Sequence, residues 1–313
     1  MADMFDKSSA AKAKPTNDYS AEHIEVLEGL EPVHRRPGMY IGGSNEIAMH
    51  HLINEVFDNA MDEAVAGHAS FIEVDVQPEN IITIRDNGRG IPIDPHPKFP
   101  KKSALEVIMT TLHAGGKFND KVYHTAGGLH GVGISVVNAL SDQLRVEVAR
   151  EGQLYAQEYS RGNPQGKLKN EGAIKNRRGT SVTFHPDAEI FGAKAKFRPE
   201  KIYKLVRSKA YLFRGVEIRW NCDASLLKEG SEVPAKETIS FPNGLEDFLK
   251  QEVGKRDLVG GIFSGEATLA EGKGRVEWAI AWPRDEDEEG HHSLFCNTIP
   301  TPEGGTHEQG LRA

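Results

Sequence analysis

Three clusters in this sequence have the residue types and spacing of reaction chemistry. In the first, His51, Glu55, Asn59, Asp62 and Glu63 recur at spacings of three and four. On a helix they share one face and set an imidazole, carboxylates and a carboxamide side by side. Such an oxygen-rich face suits Mg²⁺, which takes a few hard ligands and completes its shell with waters and substrate phosphates. It also suits a general base, because His51, one turn ahead, can orient the Glu55 carboxylate toward a water. An exposed amphipathic helix with ordinary solvated charges has the same pattern.

The second cluster is Asp86-Asn87-Gly88-Arg89-Gly90-Ile91-Pro92, which follows a β-branched run. A carboxylate at a strand end, followed by glycines that let backbone approach closely, can accept hydrogen bonds from an amino-bearing ring lodged against the turn. A tight turn with purely local hydrogen bonding reads the same way. The third is HAGGKF at 113–118 with AGGLHGVGIS at 126–135, running into an apolar helix. Its glycines leave backbone N–H groups unobstructed, the helix start adds a positive dipole end, and Lys117 adds a point charge; together these make a phosphate cradle. The stretch has no GxxxxGK[ST] loop, and it lacks the strand-helix-strand setting of a dinucleotide fingerprint. A flexible surface loop is the alternative for one glycine motif, but not for three different elements in this order.

These clusters require a helix, a strand end and a glycine loop brought to one place. Leu52, Ile53, Val56, Phe57, Ala60, Met61 and Ala64 recur at three and four, predicting a helix over 47–66 with Gly67 as its stop. Residues 71–76 and 81–85 read as an antiparallel hairpin. Helices are expected at 104–113, 134–140 and 199–213, and strands at 144–148, 154–159, 180–184 and 216–220. Before them, residues 1–18 read as a mobile arm, order begins near Tyr19, and a capped short helix opens at Ser20 and ends before Pro37. Hairpins outnumber strand-helix-strand units, so the sheet is expected to be antiparallel or mixed. A polar stretch at 225–237 reads as a domain boundary; beyond it come a helix at 245–253, strands at 260–263 and 276–282, and no closing element before Ala313, as in a fragment. The basic stretch 167–178 reads as a solvated loop, with a local phosphate contact as the alternative.

At roughly 100 to 200 residues per domain, 313 residues make about two domains. With 38% hydrophobic and 27% charged residues the composition is that of a water-soluble globular protein. No apolar run approaches the roughly 18 residues of a membrane span and no signal-peptide core is present, so a cytoplasmic protein without membrane partners is expected. Cys222 and Cys296 lie far apart with no CxxC, which removes a disulfide scaffold and a zinc ribbon and leaves a metal only oxygen ligands. Thirty-eight Lys and Arg against 46 Asp and Glu, a net charge of −8, do not advertise broad nucleic-acid binding.

EVFDNAMDEA, DNGRGIP, LHAGGKF with GGLHGVGISVVNALS, and Gly179-Thr180 resemble, in order, the four boxes of the ATPase superfamily of gyrase, Hsp90, the mismatch-repair ATPases and the histidine kinases. RRPGMYIG at 35–42 and GGTHEQGLR at 304–312 resemble the type IIA topoisomerase B subunits within it, and the resemblance spans residues 19–313. EGLEPVHRRPGMY, KAYLFRGVEIRW and NGLEDFL look closer to the topoisomerase IV branch than to gyrase.

The resemblance implies an α+β fold: a two-layer α/β sandwich over 19–238, followed by the start of a transducer domain over 239–313. It implies ATP and Mg²⁺ as ligands, Glu55 as the base that activates water, His51 as its orienting neighbour and Asn59 as the Mg²⁺ ligand. Asp86 would read the adenine amino group, helped by Gly90 and Thr180, with Glu63, Arg89, Ile91 and Pro92 around the nucleotide. Gly115, Gly116 and Lys117, with Gly128, Leu129, His130, Gly131, Val132 and Gly133, would cradle the triphosphate. Tyr19 and the arm would cross to a second copy, Tyr123 would serve the lid, and His124 stands where gyrase B subunits commonly carry lysine. The implied partners are a second copy in an ATP-dependent homodimer, the topoisomerase A subunit, DNA, and aminocoumarin-type inhibitors with Arg150 at the rim. A later transducer lysine that contacts the γ-phosphate in the family would follow Ala313, so this chain is expected to bind ATP but to hydrolyse it and dimerise poorly.

Overall fold

The computed structural model describes residues 27–114, 133–269, 274–284, 290, 292–297 and 299–313. The arm, Tyr19 and the expected helix start at Ser20 lie outside the described residues. Two short helices open the described chain, α1 (Glu31–Arg35), with a proline in its first turn, and α2 (Gly38–Ile41). The long helix α3 runs Glu46–Val65, one residue earlier at each end than expected, because Asn45 caps it: its Oδ1 accepts from the Ala48 amide at 3.0 Å.

The hairpin of β1 (Phe71–Val76) and β2 (Ile82–Asp86) follows, then a small pair, β3 (Pro95–His96) and β4 (Phe99–Ser103), and helix α4 (Ala104–Thr110). Helix α5 (Gly133–Ala139) leads into β5 (Ser141–Arg150), β6 (Gln153–Ser160), β7 (Asn163–Pro164), β8 (Lys169–Ala173) and β9 (Gly179–Pro186). After α6 (Ala188–Phe191), α7 (Pro199–Leu212) precedes β10 (Glu217–Cys222) and β11 (Lys236–Ile239). The remainder comprises α8 (Leu245–Val253), the antiparallel pair β12 (Phe263–Thr268) and β13 (Arg275–Ile280), the pair β14 (Phe295–Cys296) and β15 (Ile299–Pro300), and α9 (Thr306–Arg312).

The main sheet has the order β11-β10-β1-β2-β9-β5-β6-β7, with β8 also on β6. β10 runs parallel to β1, and the other pairings are antiparallel. Alternation decides which face is covered. Ile72, Val74, Val76, Ile82 and Ile84 are buried, whereas Glu73, Asp75, Thr83 and Arg85 between them are half-buried and pair with one another across strands. Leu52, Ile53, Val56, Phe57, Ala60 and Met61 of α3 and Ile202, Val206 and Ala210 of α7 join the same core, so helices cover one face of the sheet and make two layers. At about 1.5 to 3 kcal/mol for each fully buried aliphatic side chain, this interface is the chief stabilising contribution.

Two strands run through segments without strand patterning in the sequence. The basic stretch expected to be a solvated loop contains β8, held by Arg145, whose guanidinium donates to both Glu171 carboxylate oxygens at 2.8 and 2.9 Å. β11 continues the sheet through Ile239, beyond the polar stretch, with only Ile239 of its four residues buried. Among the described residues, no helix is long and apolar enough to cross a membrane.

The tightest backbone approach joins β9 to the end of β2. Gly179 adopts φ +103°, and a Cβ there would lie 2.1 Å from the Asp86 carbonyl oxygen, a backbone atom that cannot swing aside. Gly179→Ala is therefore expected to destabilise the protein by about 3 kcal/mol or more. Urea unfolding checks this, and an unchanged midpoint would show that the two strands do not meet this closely.

Candidate functional site

Asp86 continues the buried alternation of Ile82 and Ile84, so the strand register turns its carboxylate to the helix-covered face instead of to solvent. Its Oδ1 accepts the Gly88 amide at 2.7 Å and the Thr180 amide at 3.4 Å. The other oxygen receives no hydrogen bond from another described residue. Asp86 is only 6% exposed. Burial pushes its carboxyl up to about 6, and the nearby Glu63 carboxylate pushes the same way, against the lowering effect of the two amides. An acceptor oxygen in an apolar surrounding, with its twin already occupied, selects a ligand that brings an N–H donor.

The turn after Asp86 is held from three sides. Asn87 Oδ1 accepts the amides of Ser70 and Phe71 at 2.8 and 3.0 Å, which ties the turn to the start of β1. Glu63 reaches from α3 and accepts the Arg89 amide at 3.0 Å and its guanidinium at 3.2 and 2.7 Å. The Thr180 hydroxyl accepts the Ile91 amide at 3.2 Å, and Arg150 donates to the Gly90 carbonyl at 3.1 Å. Gly88 is required here: a Cβ would lie 2.7 Å from Glu63 Oε2 and 2.8 Å from Asp86 Oδ1. Glu63 and Arg89 are thus engaged with each other. Ile91 packs on the core, and Pro92 is exposed.

The α3 face holds the remaining described candidates. His51 is exposed at its start, Glu55 and Asn59 are half-buried one turn apart, and Asp62 is buried. Glu55 is pressed against the first turn of α5, where a Cβ on Gly133 would fall 2.0 Å from Glu55 Oε2. Gly133, expected in the phosphate cradle, thus also admits this carboxylate. Among the described residues no cluster of three or more His, Cys, Asp or Glu could hold a metal ion alone. A carboxylate and a carboxamide one turn apart fit a hard divalent cation that draws its other ligands from phosphate oxygens and water. Tyr19, Gly115, Gly116, Lys117, Tyr123, His124, Gly128, Leu129, His130, Gly131 and Val132 lie outside the described residues.

Sequence reasoning missed the Asn87 tie and an ion pair behind the site between the buried Lys209 Nζ and the half-buried Asp58 Oδ1 at 2.9 Å. Asn in a turn and Lys on an amphipathic helix are common, so neither had a distinguishing signal; only the fold identifies their partners.

Residues 44–190 match the family model of the histidine kinase-, DNA gyrase B- and HSP90-like ATPases, and residues 244–313 match that of DNA gyrase B. The B subunit of DNA topoisomerase 4 from Bartonella bacilliformis is 57% identical over 97% of this chain and 44% of its own length. Its counterpart from Rickettsia conorii is 57% identical over 100% of this chain and 47% of its own length. The B subunit of DNA gyrase from Synechocystis is 43% identical over 95% of this chain and 27% of its own. The chain therefore spans under half the length of these relatives. Among solved structures, the 43K ATPase domain of Thermus thermophilus gyrase B in complex with an aminocoumarin superposes with a TM-score of 0.73 at 36% identity, covering 90% of this chain and 69% of that one.

Asp86 should leave a signature on stability. A carboxyl raised from 3.8 to about 6 holds its proton more tightly in the folded state, so the stability this gives is full below about pH 4 and lost as pH rises through about 6. At 1.36 kcal/mol per unit the loss is on the order of 3 kcal/mol. Asp86→Asn keeps a carbonyl oxygen for the two amides without the charge. It should be more stable than the parent at neutral pH and lose most of that advantage at pH 4, as read by denaturant unfolding at the two pH values. An equal difference at both would contradict the buried charge.

Proposed function

The chain belongs to the ATPase regions of the type IIA DNA topoisomerase B subunits, and on that premise we propose that it binds and hydrolyses ATP as the N-terminal gate of a bacterial topoisomerase IV. The observation that carries this reading is the half-satisfied Asp86 carboxylate at the end of β2. The carboxylate oxygen that no other described residue hydrogen-bonds accepts the exocyclic amino group of adenine, with Gly90 and Thr180 beside it. The identities of 57% to topoisomerase IV B subunits against 43% to a gyrase B subunit favour the topoisomerase IV branch.

In this reading Glu55 takes the proton of a water that attacks the γ-phosphorus in line, and the leaving ADP oxygen departs on the opposite side. His51, one turn ahead, orients that carboxylate. Asn59 would hold Mg²⁺, which when bound neutralises charge on the phosphate oxygens. Gly115, Gly116, Lys117 and residues 128–133 cradle the triphosphate, so that most of the acceleration comes from positioning and charge stabilisation. The division into an ATP-binding unit over 19–238 and a transducer beginning at 239 belongs to the same proposal.

For the whole protein we propose dimerisation on ATP through the arm and Tyr19, assembly with the A subunit in the cytoplasm, and capture of DNA for strand passage, relaxation and decatenation. The gyrase B neighbour carries an aminocoumarin. The pocket beside Asp86, with Arg150 at its rim, is proposed to accept that inhibitor class. A nucleotide-operated clamp with little turnover of its own is the second reading.

Two variants separate binding from chemistry. Asp86→Asn must keep its oxygen on the Gly88 and Thr180 amides, which sets its amino group against that of adenine. Calorimetry should therefore register loss of adenine-nucleotide affinity by a factor on the order of 100 or more. Glu55→Ala should keep that affinity and lose phosphate release by a factor on the order of 100 or more; unchanged release would favour the clamp reading. Gly133→Ala tests the same carboxylate indirectly. The added methyl displaces the end of a flexible side chain, so the unfolding midpoint should hardly move while turnover falls by roughly tenfold or more.

A further inference from the structure

We propose that Lys209 is a positioning residue that ties the setting of the α3 face to the docking of the second unit on α7. The inference rests on the reading of α3 as the nucleotide-facing helix. Asp58, the partner of Lys209, stands immediately before Asn59 and three residues after Glu55. At 3.6 residues per turn, Asp58 and Glu55 point about 60° apart, so a roll of α3 that moves one moves the other. The Lys209 side chain is 8% exposed and that of Asp58 22%. The ammonium is buried and the carboxylate largely enclosed, so their contact is poorly solvated and directional and ties the two helices in one register.

The same short length of chain grips the second unit. Tyr211 stacks on Phe248 of α8 with ring centroids 3.9 Å apart and planes 27° apart. Arg207 donates to Gln251 Oε1 at 2.9 Å and lies 3.5 Å from Glu252 Oε1. Just past the helix, Arg214 donates to Glu277 Oε1 of β13 at 2.6 Å and lies 3.4 Å from Glu266 of β12. Positions 207 to 212 of α7 span about 7.5 Å of helix rise, and Arg214 follows two residues past the helix end. The grip on α8 and the grip on α3 are thus made by the last turns of one helix, with the grip on β13 two residues beyond it, and a shift in either is felt by the other. By reciprocity, a ligand that settles on the α3 face must alter the hold on α8.

The test is amide hydrogen exchange across α8 with and without a non-hydrolysable ATP analogue. In the parent chain the bound analogue should change exchange at residues 245–253 by at least about threefold. Lys209→Met should bind the analogue with the parent's affinity and lose this response, and Lys209→Arg should restore it. If Lys209→Met fails to fold, Asp58→Asn with Lys209→Met removes both charges, and the same loss of response is expected. A response that survives removal of the pair, or its absence in a parent that binds the analogue, overturns the proposal. A parent that binds no analogue overturns instead the nucleotide reading on which it rests.

Discussion

The described site depends on a carboxylate held on the apolar side of a sheet. Strand alternation would place an isoleucine or valine at position 86; an aspartate there faces the core and loses much of its hydration. Two backbone amides on one oxygen make that tolerable, and they can reach it only because Gly88 and Gly179 have no side chains where the Asp86 carboxylate and carbonyl lie. Neutralising the charge is the other route to relief, and burial raises the carboxyl in that direction. A ligand N–H donor offered to the second oxygen shifts that balance to the charged form. Recognition and desolvation are here the same energetic term, seen with and without the ligand.

From this constraint the rest of the site follows in layers. Asn87 fixes the turn to β1, and Glu63 fixes it to α3, so the strand end and the helix that carries Glu55 and Asn59 cannot drift apart. The Glu63–Arg89 pair is partly exposed and contributes little as an ion pair. Its additional bond from the Arg89 amide is what gives it direction. α3 accordingly has three tasks on three strips: an apolar strip in the core, an oxygen-rich strip at the site, and Asp58 turned toward α7.

Much of this was legible in the sequence because its signals are local. A period of three to four marked α3, β-branched runs joined by a turn marked β1 and β2, and glycines marked the candidate loops. The resemblance of the four boxes then ordered these pieces into one fold. What stayed hidden was non-local. β8 and β11 are edge strands with mostly exposed residues, so neither has the alternating pattern that marks a half-buried strand. The duties of Glu63 and Arg89 toward each other depend on a contact 26 residues apart in the chain, and no spacing rule announces it. Asp58 and Lys209, farther apart still, read as ordinary charges on two amphipathic helices until packing brings them together.

That last pair raises the question of why a charged contact stands where an apolar one would pack. Well-packed hydrophobic replacements of buried ion pairs are often as stable or more so, which makes stability a weak reason for keeping the pair. Geometry is a stronger one. Two apolar side chains tolerate sliding and rolling, because dispersion is non-directional and the loss on a small shift is shallow. An ammonium and a carboxylate 2.9 Å apart in a poorly solvated setting make a directional contact, and departures from it are costly. For a helix proposed to bring Glu55 and Asn59 to a reacting phosphate, a contact that penalises rolling is worth more than one that only adds cohesion.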